Sequence, residues 1–554
     1  MSIQNEVLDS TFKTSKNFYS SDLICAEYLQ RHLDKEGKNY MNPHLNFIGE
    51  KAATDMDALS MDADKTGPQL IKRNFYGENI DAIKFHPAYD QLMQIAIDSE
   101  MFTVKWKPEL KEKFNHERHA LGFASGYFYA MSELGQYCPL CMTDGVARLI
   151  HLYATDADKK RLLPHIATKN MGELFTGAMF LTEKSGGSDV GRNLVRAEKV
   201  SGTTYKLYGE KWFCSNANAD LIFALARTDA SKPGTKGLSI FLIEKHLPDG
   251  SRNNINMIRL KDKLGVRSMA SAECQLEGTQ ATLIGDEFQG FKIMTDMINL
   301  SRLYNAVAAL SGARRALVEV FQFLRFRKSF GKFAIEHPLI REKLFELGSL
   351  HVANFYLTWR AIRALDASDS GNEKEKHLIR MLTPMVKKWS AEKAVYITRE
   401  SMELMGGIGY IEDGVMPKIM RDVMVLPIWE GAGNIMTLDM LRASFKSDGL
   451  NVMLEEIKGS AASNTVIGKH LSRLSEQAIG LQKLEGDELQ LRAKYFFDEL
   501  TTLFQLHLIT SETNPDNQGW MNPTAAFLTN KLEKKDTSTL LSVDEIKALV
   551  GWNF

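Results

Sequence analysis

The strongest constraint on the fold is a change of hydrophobic period in mid-chain. From Lys206 to Leu283 the pattern is that of strands. Leu221–Ala226 and Leu238–Ile243 are unbroken apolar runs of buried-strand length, and Ala272, Cys274 and Leu276 alternate with Glu273, Gln275 and Glu277. Gly202, Gly209, Gly237, Gly265, Gly278 and Gly285 punctuate this stretch. On both sides the period is helical. Residues 1 to about 173 carry short helices, with Ala88–Glu100 and His116–Leu134 the clearest and breaks expected near Met41–His44 and Thr66–Pro68. The texture changes near Met179. Beyond Gly290, the tracts Phe291–Lys328, Pro338–Leu365 and Glu375–Met405 predict a bundle of about four long helices. A last helical segment begins near 446, with breaks expected at Asn514–Gly519 and Met521–Pro523. The fold class is therefore α+β, mostly α. Four domains are expected: a helical one over 1–173, a small antiparallel β-barrel or sandwich over 174–287, a four-helix bundle over 288–445 and a helical extension over 446–554.

At 554 residues the chain exceeds one simple core. A net charge of −1 gives no global attraction to nucleic acid or anionic membrane. No apolar run approaches the length of a membrane span. Met1-Ser-Ile-Gln-Asn-Glu6 has neither a basic flank nor an apolar stretch, so no secretory signal is expected. Five cysteines in so long a chain make no disulfide framework, and a reducing, cytoplasmic setting is expected. Cys138-Pro-Leu-Cys141 has no second pair to complete four zinc ligands, so it is read as structural, and no metal site is expected.

Leu426-Pro-Ile-Trp-Glu-Gly-Ala-Gly-Asn-Ile435 sets one carboxylate, Glu430, between a bulky Trp429 and the flexible Gly431, Ala432 and Gly433. Apolar neighbours disfavour an ionised carboxylate and tune it toward proton abstraction, while small residues let a ligand approach the backbone. The plain alternative is an exposed acid at a helix start capped by Asn434. In Leu181-Thr-Glu-Lys-Ser-Gly-Gly-Ser-Asp-Val190, adjacent glycines beside hydroxyls offer amides and OH groups to a polar ligand. No complete G-x-G-x-x-G follows a strand, which disfavours a nicotinamide site. Gly406-Gly-Ile-Gly409 ends a helical pattern and suits a helix terminus needing left-handed residues. From Arg302 to Lys332, seven basic residues face one acid, Glu319. Such a run is either a solvated helix face or a site for a phosphate-rich ligand.

Taken together, these stretches resemble the acyl-CoA dehydrogenase family. The Leu-Thr-Glu…Gly-Gly-Ser-Asp loop looks like the family's flavin loop, and Gly209-Glu-Lys-Trp-Phe-Cys-Ser-Asn216 like the strand against the isoalloxazine. Arg327-Lys-Ser-Phe-Gly331, Gly406-Gly-Ile-Gly-Tyr410 and Trp429-Glu-Gly-Ala-Gly433 match three further signatures in the family's order. Phe85-His-Pro87, Leu247–Asn253, Arg259–Gly265 and the C-terminal extension point to the AidB branch of alkylation-response flavoproteins.

The resemblance implies an FAD enzyme in which Glu430 abstracts the α-proton of an acyl-CoA thioester. The β-hydrogen leaves as hydride to flavin N5, giving the trans-2-enoyl-CoA. It further implies that Leu181, Thr182, Gly187 and Ser188 contact the flavin ring or pyrophosphate, that Phe213 lies against the ring, and that Ser215 hydrogen-bonds it. Arg327, Phe330 and the Gly406–Gly407 turn, with Glu403 beside it, would reach the FAD of a neighbouring subunit. That implies a homo-oligomer, typically a tetramer. Ala432 and Asn434 would close over the cofactor, and Arg302, Ser188, Trp429 and Gly431 would face substrate. An electron-transfer flavoprotein is a candidate partner. The basic run would then serve pyrophosphate binding.

Three positions depart from the family pattern. Phe213 stands for a tryptophan, Glu403 for a glutamine that would contact the cofactor phosphates, and Ala432 lacks a threonine's hydroxyl. The AidB resemblance opens a second reading, a DNA-binding flavoprotein of the alkylation response. A third is a non-catalytic acyl-CoA binder or sensor. From Lys446 onward eleven basic and fifteen acidic residues give −4, which argues against a DNA partner.

Overall fold

The computed structural model of the chain describes residues 15–535 and 539–554; the opening Met1–Glu6 lies outside them. The chain divides into two compact units, Met56–Phe114 with Glu133–Tyr304, and Met1–Asp55 with Asn115–Ser132 and Asn305–Phe554.

The first unit holds the strands. A hairpin of β1 (Gln69–Arg73) and β2 (Asn79–Lys84) precedes a seven-stranded sheet. Its strands are β3 (Gly177–Phe180), β4 (Arg196–Ser201), β5 (Thr204–Ser215), β6 (Leu221–Arg227), β7 (Leu238–Glu244), β8 (Ile255–Leu260) and β9 (Ser271–Leu283). The two apolar runs are β6 and β7, buried at every position except the last. Each fully buried aliphatic side chain there contributes about 1.5–3 kcal/mol. Phe180, Leu207, Ile222, Phe241, Cys274 and Leu276 belong to one core against this sheet.

The expected antiparallel barrel is a mixed sheet instead. β3 runs parallel to β6, and β4 meets β6 in parallel through one residue pair, Arg196↔Arg227. β7 meets β9 through only two pairs. β3 and β6 are separated in sequence by β4 and β5, so no tight hairpin joins them and the parallel pairing is made through a long connection. Alternation in β9 also fails at Glu273, which is buried and salt-bridged to Lys261 at 2.5 Å and Arg259 at 2.6 Å. Cys138 and Cys141 lie on one helix, Tyr137–Tyr153, and all five cysteines are free thiols.

The second unit is helical. Its helices include α1 (Leu23–His32), α2 (Lys35–Ala53), α3 (Arg118–Ala130), the long α4 (Gly290–Phe326, which begins in the first unit), α5 (Pro338–Asp369), α6 (Glu373–Met405), α7 (Val415–Val423) and α8 (Gly433–Lys446). The extension adds α9 (Gly449–Ala461), α10 (Thr465–Leu481), α11 (Gly486–Glu512), α12 (Gln518–Glu533) and α13 (Val543–Val550). Two expected breaks do not occur, because α2 continues through Pro43 and α12 through Pro523. Pro43 and Pro523 lie inside helices whose apolar faces are buried, and that packing offsets the lost N–H bond.

Extension and bundle are fitted together. Arg360 of α5 pairs bidentately with Glu456 of α9 at 2.7 and 2.9 Å, and Lys388 of α6 reaches Asp498 of α11 at 3.1 Å. A Cβ at Gly348 would come within 2.9 Å of Leu549, so only glycine lets α13 approach so closely. Arg314 is fully buried, holding Asp22 at 2.8 and 2.9 Å and donating to the carbonyls of Val550 and Gly551. Tyr127 donates to the same Asp22 at 2.9 Å, and this pairing with burial pushes the phenol well above its ordinary range. No helix among the described residues is long and apolar enough to cross a membrane.

Candidate active site

In the first unit, β3 delivers the chain into the loop that begins at Leu181. Glu183 is buried and holds this loop closed. It accepts the N–H groups of Leu194 at 2.5 Å and Val195 at 3.2 Å, and it pairs with Lys211 at 2.7 Å. Lys211 is fully buried on β5; desolvation lowers its pKa, and Glu183 opposes that shift. Asn193 donates to the Leu181 carbonyl at 2.9 Å, and the Trp212 N–H to that of Thr182 at 2.9 Å. The loop is thus stitched to β5 beside Phe213. Gly186 has φ +113°, and a Cβ on Gly187 would come within 2.8 Å of Thr182 Oγ1. Gly187 and Ser188 are left exposed at the crest, with Leu181 and Thr182 half-buried beneath.

On β5 the pairing register shifts between Lys211 and Cys214, a bulge that re-aims side chains. Phe213 is 56% exposed there, a large ring offered to solvent beside buried Cys214. Lys261 Nζ sits 3.3 Å from the Trp212 ring centroid and 4.9 Å from that of Phe213. Ser215 is half-buried, its Oγ 3.4 Å from that of Ser271. Arg302, half-buried on α4, donates to Asn299 at 3.1 Å.

In the second unit, Glu430 ends a tight turn after α7. Ile428 and Trp429 donate back to the Val425 carbonyl at 2.9 and 3.0 Å, and Asn305 donates to that of Leu426 at 3.1 Å. Glu430 itself has φ +58° and Gly431 φ +101°. A left-handed conformation at a non-glycine residue costs about 1–3 kcal/mol and persists only where neighbours impose it. Lys387 is the neighbour that does so. Fully buried on α6, it donates to the carbonyls of Pro427 at 3.1 Å and Gly431 at 2.5 Å, bracketing Glu430. Gly431, at that φ, would be strained by any side chain, and a Cβ would also press on the Met436 terminal methyl at 2.7 Å. Trp429 and Glu430 are half-buried.

The alternative in which Asn434 caps a helix over Ile435–Arg442 is not what forms. Helix α8 begins two residues earlier than that reading requires, at Gly433, with Ala432 at the N-cap and no side-chain cap bond. Ala432 and Asn434 are exposed at this uncapped N-terminus, whose free N–H groups favour an anion.

Arg327 follows the end of α4 and is exposed, and Phe330 beyond it is 97% exposed with φ +50°. Arg327 Nη1 lies 3.9 Å from where a Cβ on Gly406 would stand. The structure therefore brings the arginine to the Gly406–Gly407 turn, 79 positions further along the sequence. Both glycines are exposed, and Gly406 has φ +66°. Glu403 is paired with Arg399 one turn before it, so its carboxylate is already neutralised in part. Sequence reasoning missed Glu183 and Lys211, whose only trace was their presence inside the quoted motifs, and Lys387, which lies mid-helix with no motif around it.

Three family profiles match the chain. Residues 10–171 match the adaptive response protein AidB N-terminal domain, 178–279 the acyl-CoA dehydrogenase middle domain and 289–445 the acyl-CoA dehydrogenase C-terminal domain. The putative acyl-CoA dehydrogenase AidB of Escherichia coli is 32% identical over 451 residues, 80% of each chain. The chain belongs to the acyl-CoA dehydrogenase family. Within it, the AidB-like branch is supported by the N-terminal match and this relative. Acyl-CoA dehydrogenase family member 11 of Caenorhabditis elegans is 29% identical over 490 residues, 87% of this chain and 76% of that one. The crystal structure of the C. elegans protein ACDH-11 in complex with C11-CoA superposes with a TM-score of 0.85 at 26% identity, covering 96% of this chain and 93% of that chain. This family member is accordingly an oxidoreductase of the acyl-CoA dehydrogenase type, and its family is FAD-dependent.

Proposed function

We propose that this protein oxidises an acyl-CoA thioester to the trans-2-enoyl-CoA, with Glu430 as the base. The observation that carries the proposal is the strained backbone at Glu430, bracketed by two carbonyls that buried Lys387 holds. A residue fixed at that cost is positioned for a task rather than left at a helix start. The Glu430 carboxylate accepts the α-proton, and its own backbone N–H donates to the thioester oxygen. One such donor is worth about 3 kcal/mol at the transition state. FAD, when bound, supplies the acceptor for the β-hydride. The C11-CoA bound by the C. elegans neighbour supports an acyl-CoA as the substrate class.

The residues present fit the cofactor. The cradle of Leu181, Thr182, Gly187 and Ser188, fixed by Glu183, presents amides and hydroxyls, with Phe213 offering an exposed aromatic face and Ser215 a hydroxyl. Arg327 beside the Gly406–Gly407 turn suits the pyrophosphate of a second subunit, together with Phe330, while Ala432 and Asn434 at the open end of α8 suit its adenine side. Arg302, Ser188, Trp429 and Gly431 face substrate in this reading. The proposal includes a homotetramer, reoxidation by an electron-transfer flavoprotein, a reducing cytoplasmic setting, and the division into 1–173, 174–287, 288–445 and 446–554.

The test is anaerobic bleaching of the bound flavin across acyl-CoAs from short branched to long straight chains. At least one thioester should bleach the wild type. Glu430→Gln should retain flavin and fold but lose bleaching, since an amide is isosteric and cannot take the proton. Equal bleaching in the variant would assign the base to another residue. Absence of bleaching by every thioester would leave the non-catalytic sensor as the better reading.

A further inference from the structure

We propose that Asp34, His116 and Glu117 form a binding site for a divalent first-row transition metal, apart from the flavin chemistry. One ligand atom from each of the three lies within 4.8 Å of the other two, and all three belong to the helical unit. An imidazole with two carboxylates is the donor set of Zn²⁺, Mn²⁺ or Fe²⁺ sites rather than of Mg²⁺ or Ca²⁺, which take oxygen alone.

Glu117 provides the decisive observation. It is 5% exposed, and although Asp34 N–H donates to its Oε2 at 2.9 Å, its Oε1 has no hydrogen-bond partner. A buried carboxylate oxygen left unpaired costs several kcal/mol unless a cation satisfies it. Burial raises the Glu117 pKa, and the Asp34 carboxylate pushes it the same way. Two acids turned toward one another repel, and His116, 2.8 Å from Asp34 Oδ2, offsets that only when protonated. A divalent ion removes the repulsion and completes the set.

Local structure shows that these carboxylates are diverted from their ordinary use. Asp34 is the N-cap of α2 and Glu117 the N-cap of α3, yet neither side chain makes a cap bond. An N-cap aspartate normally accepts an N–H of the first turn. In α3 that duty passes to Asp366, which accepts His119 N–H at 2.8 Å and Ala120 N–H at 2.9 Å. Gly37 makes the space, because a Cβ there would lie 2.0 Å from Glu117 Oε1. Ligands about 2.0–2.2 Å from a tetrahedral metal are roughly 3.4 Å apart, so the site closes by small rotations. The Asp34 and His116 side chains are 70% and 54% exposed and free to make them. All three residues also line a polar cavity of about 410 Å³ with Arg360, Glu456 and Glu512, which gives an ion and its remaining water ligands a path of entry. Asp34 and His116 are 82 positions apart, so no spacing motif could have announced the site.

The experiment is a calorimetric titration of chelator-stripped, FAD-loaded full-length protein with Zn²⁺, then with Mn²⁺ and Mg²⁺, alongside the shift in Tm. One Zn²⁺ per chain should bind saturably and raise Tm. His116→Ala should weaken that binding by about tenfold or more, with flavin content unchanged. Asp34→Asn, at an exposed position, carries the same expectation if His116→Ala fails to fold. Gly37→Ala should also weaken binding by displacing Glu117. Absence of saturable binding, or binding unaltered in both His116→Ala and Asp34→Asn, would overturn the proposal. Tighter binding of Mg²⁺ than of Zn²⁺ would overturn the assignment of metal class.

Discussion

Arg314 and Arg327 stand thirteen residues apart in one basic run, and they have opposite fates. Arg314 lies inside α4, fully buried, with its guanidinium divided between Asp22, the carbonyls of Val550 and Gly551, and the face of Trp552 at 5.1 Å. Arg327 lies just past the end of α4, exposed, with the Phe323 ring 5.5 Å away and the Gly406 turn beside it. One arginine joins the N-terminal helices to the C-terminal end of the chain. The other stays at the surface beside the Gly406 turn. Arg315 goes the way of Arg314, since it pairs with Glu319 at 2.7 Å. Part of the run's charge is therefore taken up inside the fold rather than left for a ligand. Position relative to the helix end, not charge count, decides which arginine is available.

The comparison breaks most visibly at its buried half. Arg314→Ala should destabilise the protein by about 3–5 kcal/mol, because it leaves Asp22 charged and buried without its partner. Chemical denaturation monitored by circular dichroism measures this, and a midpoint equal to wild type would remove the distinction drawn here. Arg327→Ala should do the reverse. Its denaturation midpoint should stay within about 0.5 kcal/mol of wild type. FAD affinity should fall by about ten- to a hundred-fold, the worth of one charge-assisted phosphate contact of about 1.5–3 kcal/mol. Equilibrium dialysis of flavin reads that effect. Unchanged FAD affinity would mean that the exposed arginine serves something other than the cofactor.

Much of the architecture was legible because burial writes a period into sequence. The runs that became β6 and β7, and the tracts that became α4, α5 and α6, differ from expectation by at most four residues at either end. The motif loops were legible through their glycines and through family resemblance. What failed depended on partners distant in sequence. The mixed pairing of β3 and β4 is set by which strand edges meet, and the continuity of α2 and α12 through proline by packing that a local rule omits. The polar residues that fix the motif loops were silent for a different reason. Nothing in the sequence marks Lys387 or Lys211 as buried, and only burial beside Gly431 and Glu183 shows what they hold. Glu403 shows the converse, a substitution that raised doubt about a phosphate contact and that Arg399 answers locally.

The smallest effect expected concerns DNA, and it sharpens the comparison at the level of free positive charge. A duplex-binding surface needs several outward cations unclaimed by carboxylates. In the extension Lys458, Arg473, Arg492 and Lys535 are paired with Glu455, Glu499, Glu488 and Glu533. Lys531 is exposed, and desolvation with the nearby Lys393 lowers its pKa to about 8. Several of the extension's acids are in turn used on the bundle, as Glu456 is on Arg360 and Asp498 on Lys388. Lys446, Lys469, Lys483, Lys494, Lys534 and Lys547 stay exposed, but the fifteen acids of the tail outnumber its eleven basic residues and it sums to −4. Duplex binding by the FAD-loaded protein should therefore be weak and should vanish near physiological salt. Fluorescence anisotropy at several salt concentrations measures both affinity and slope. Submicromolar binding at physiological salt, with a slope indicating several phosphate contacts, would show that cations such as Arg327 face nucleic acid, and would favour the alkylation-response reading. A negligible slope would leave Arg327 to the cofactor and the extension to holding the bundle.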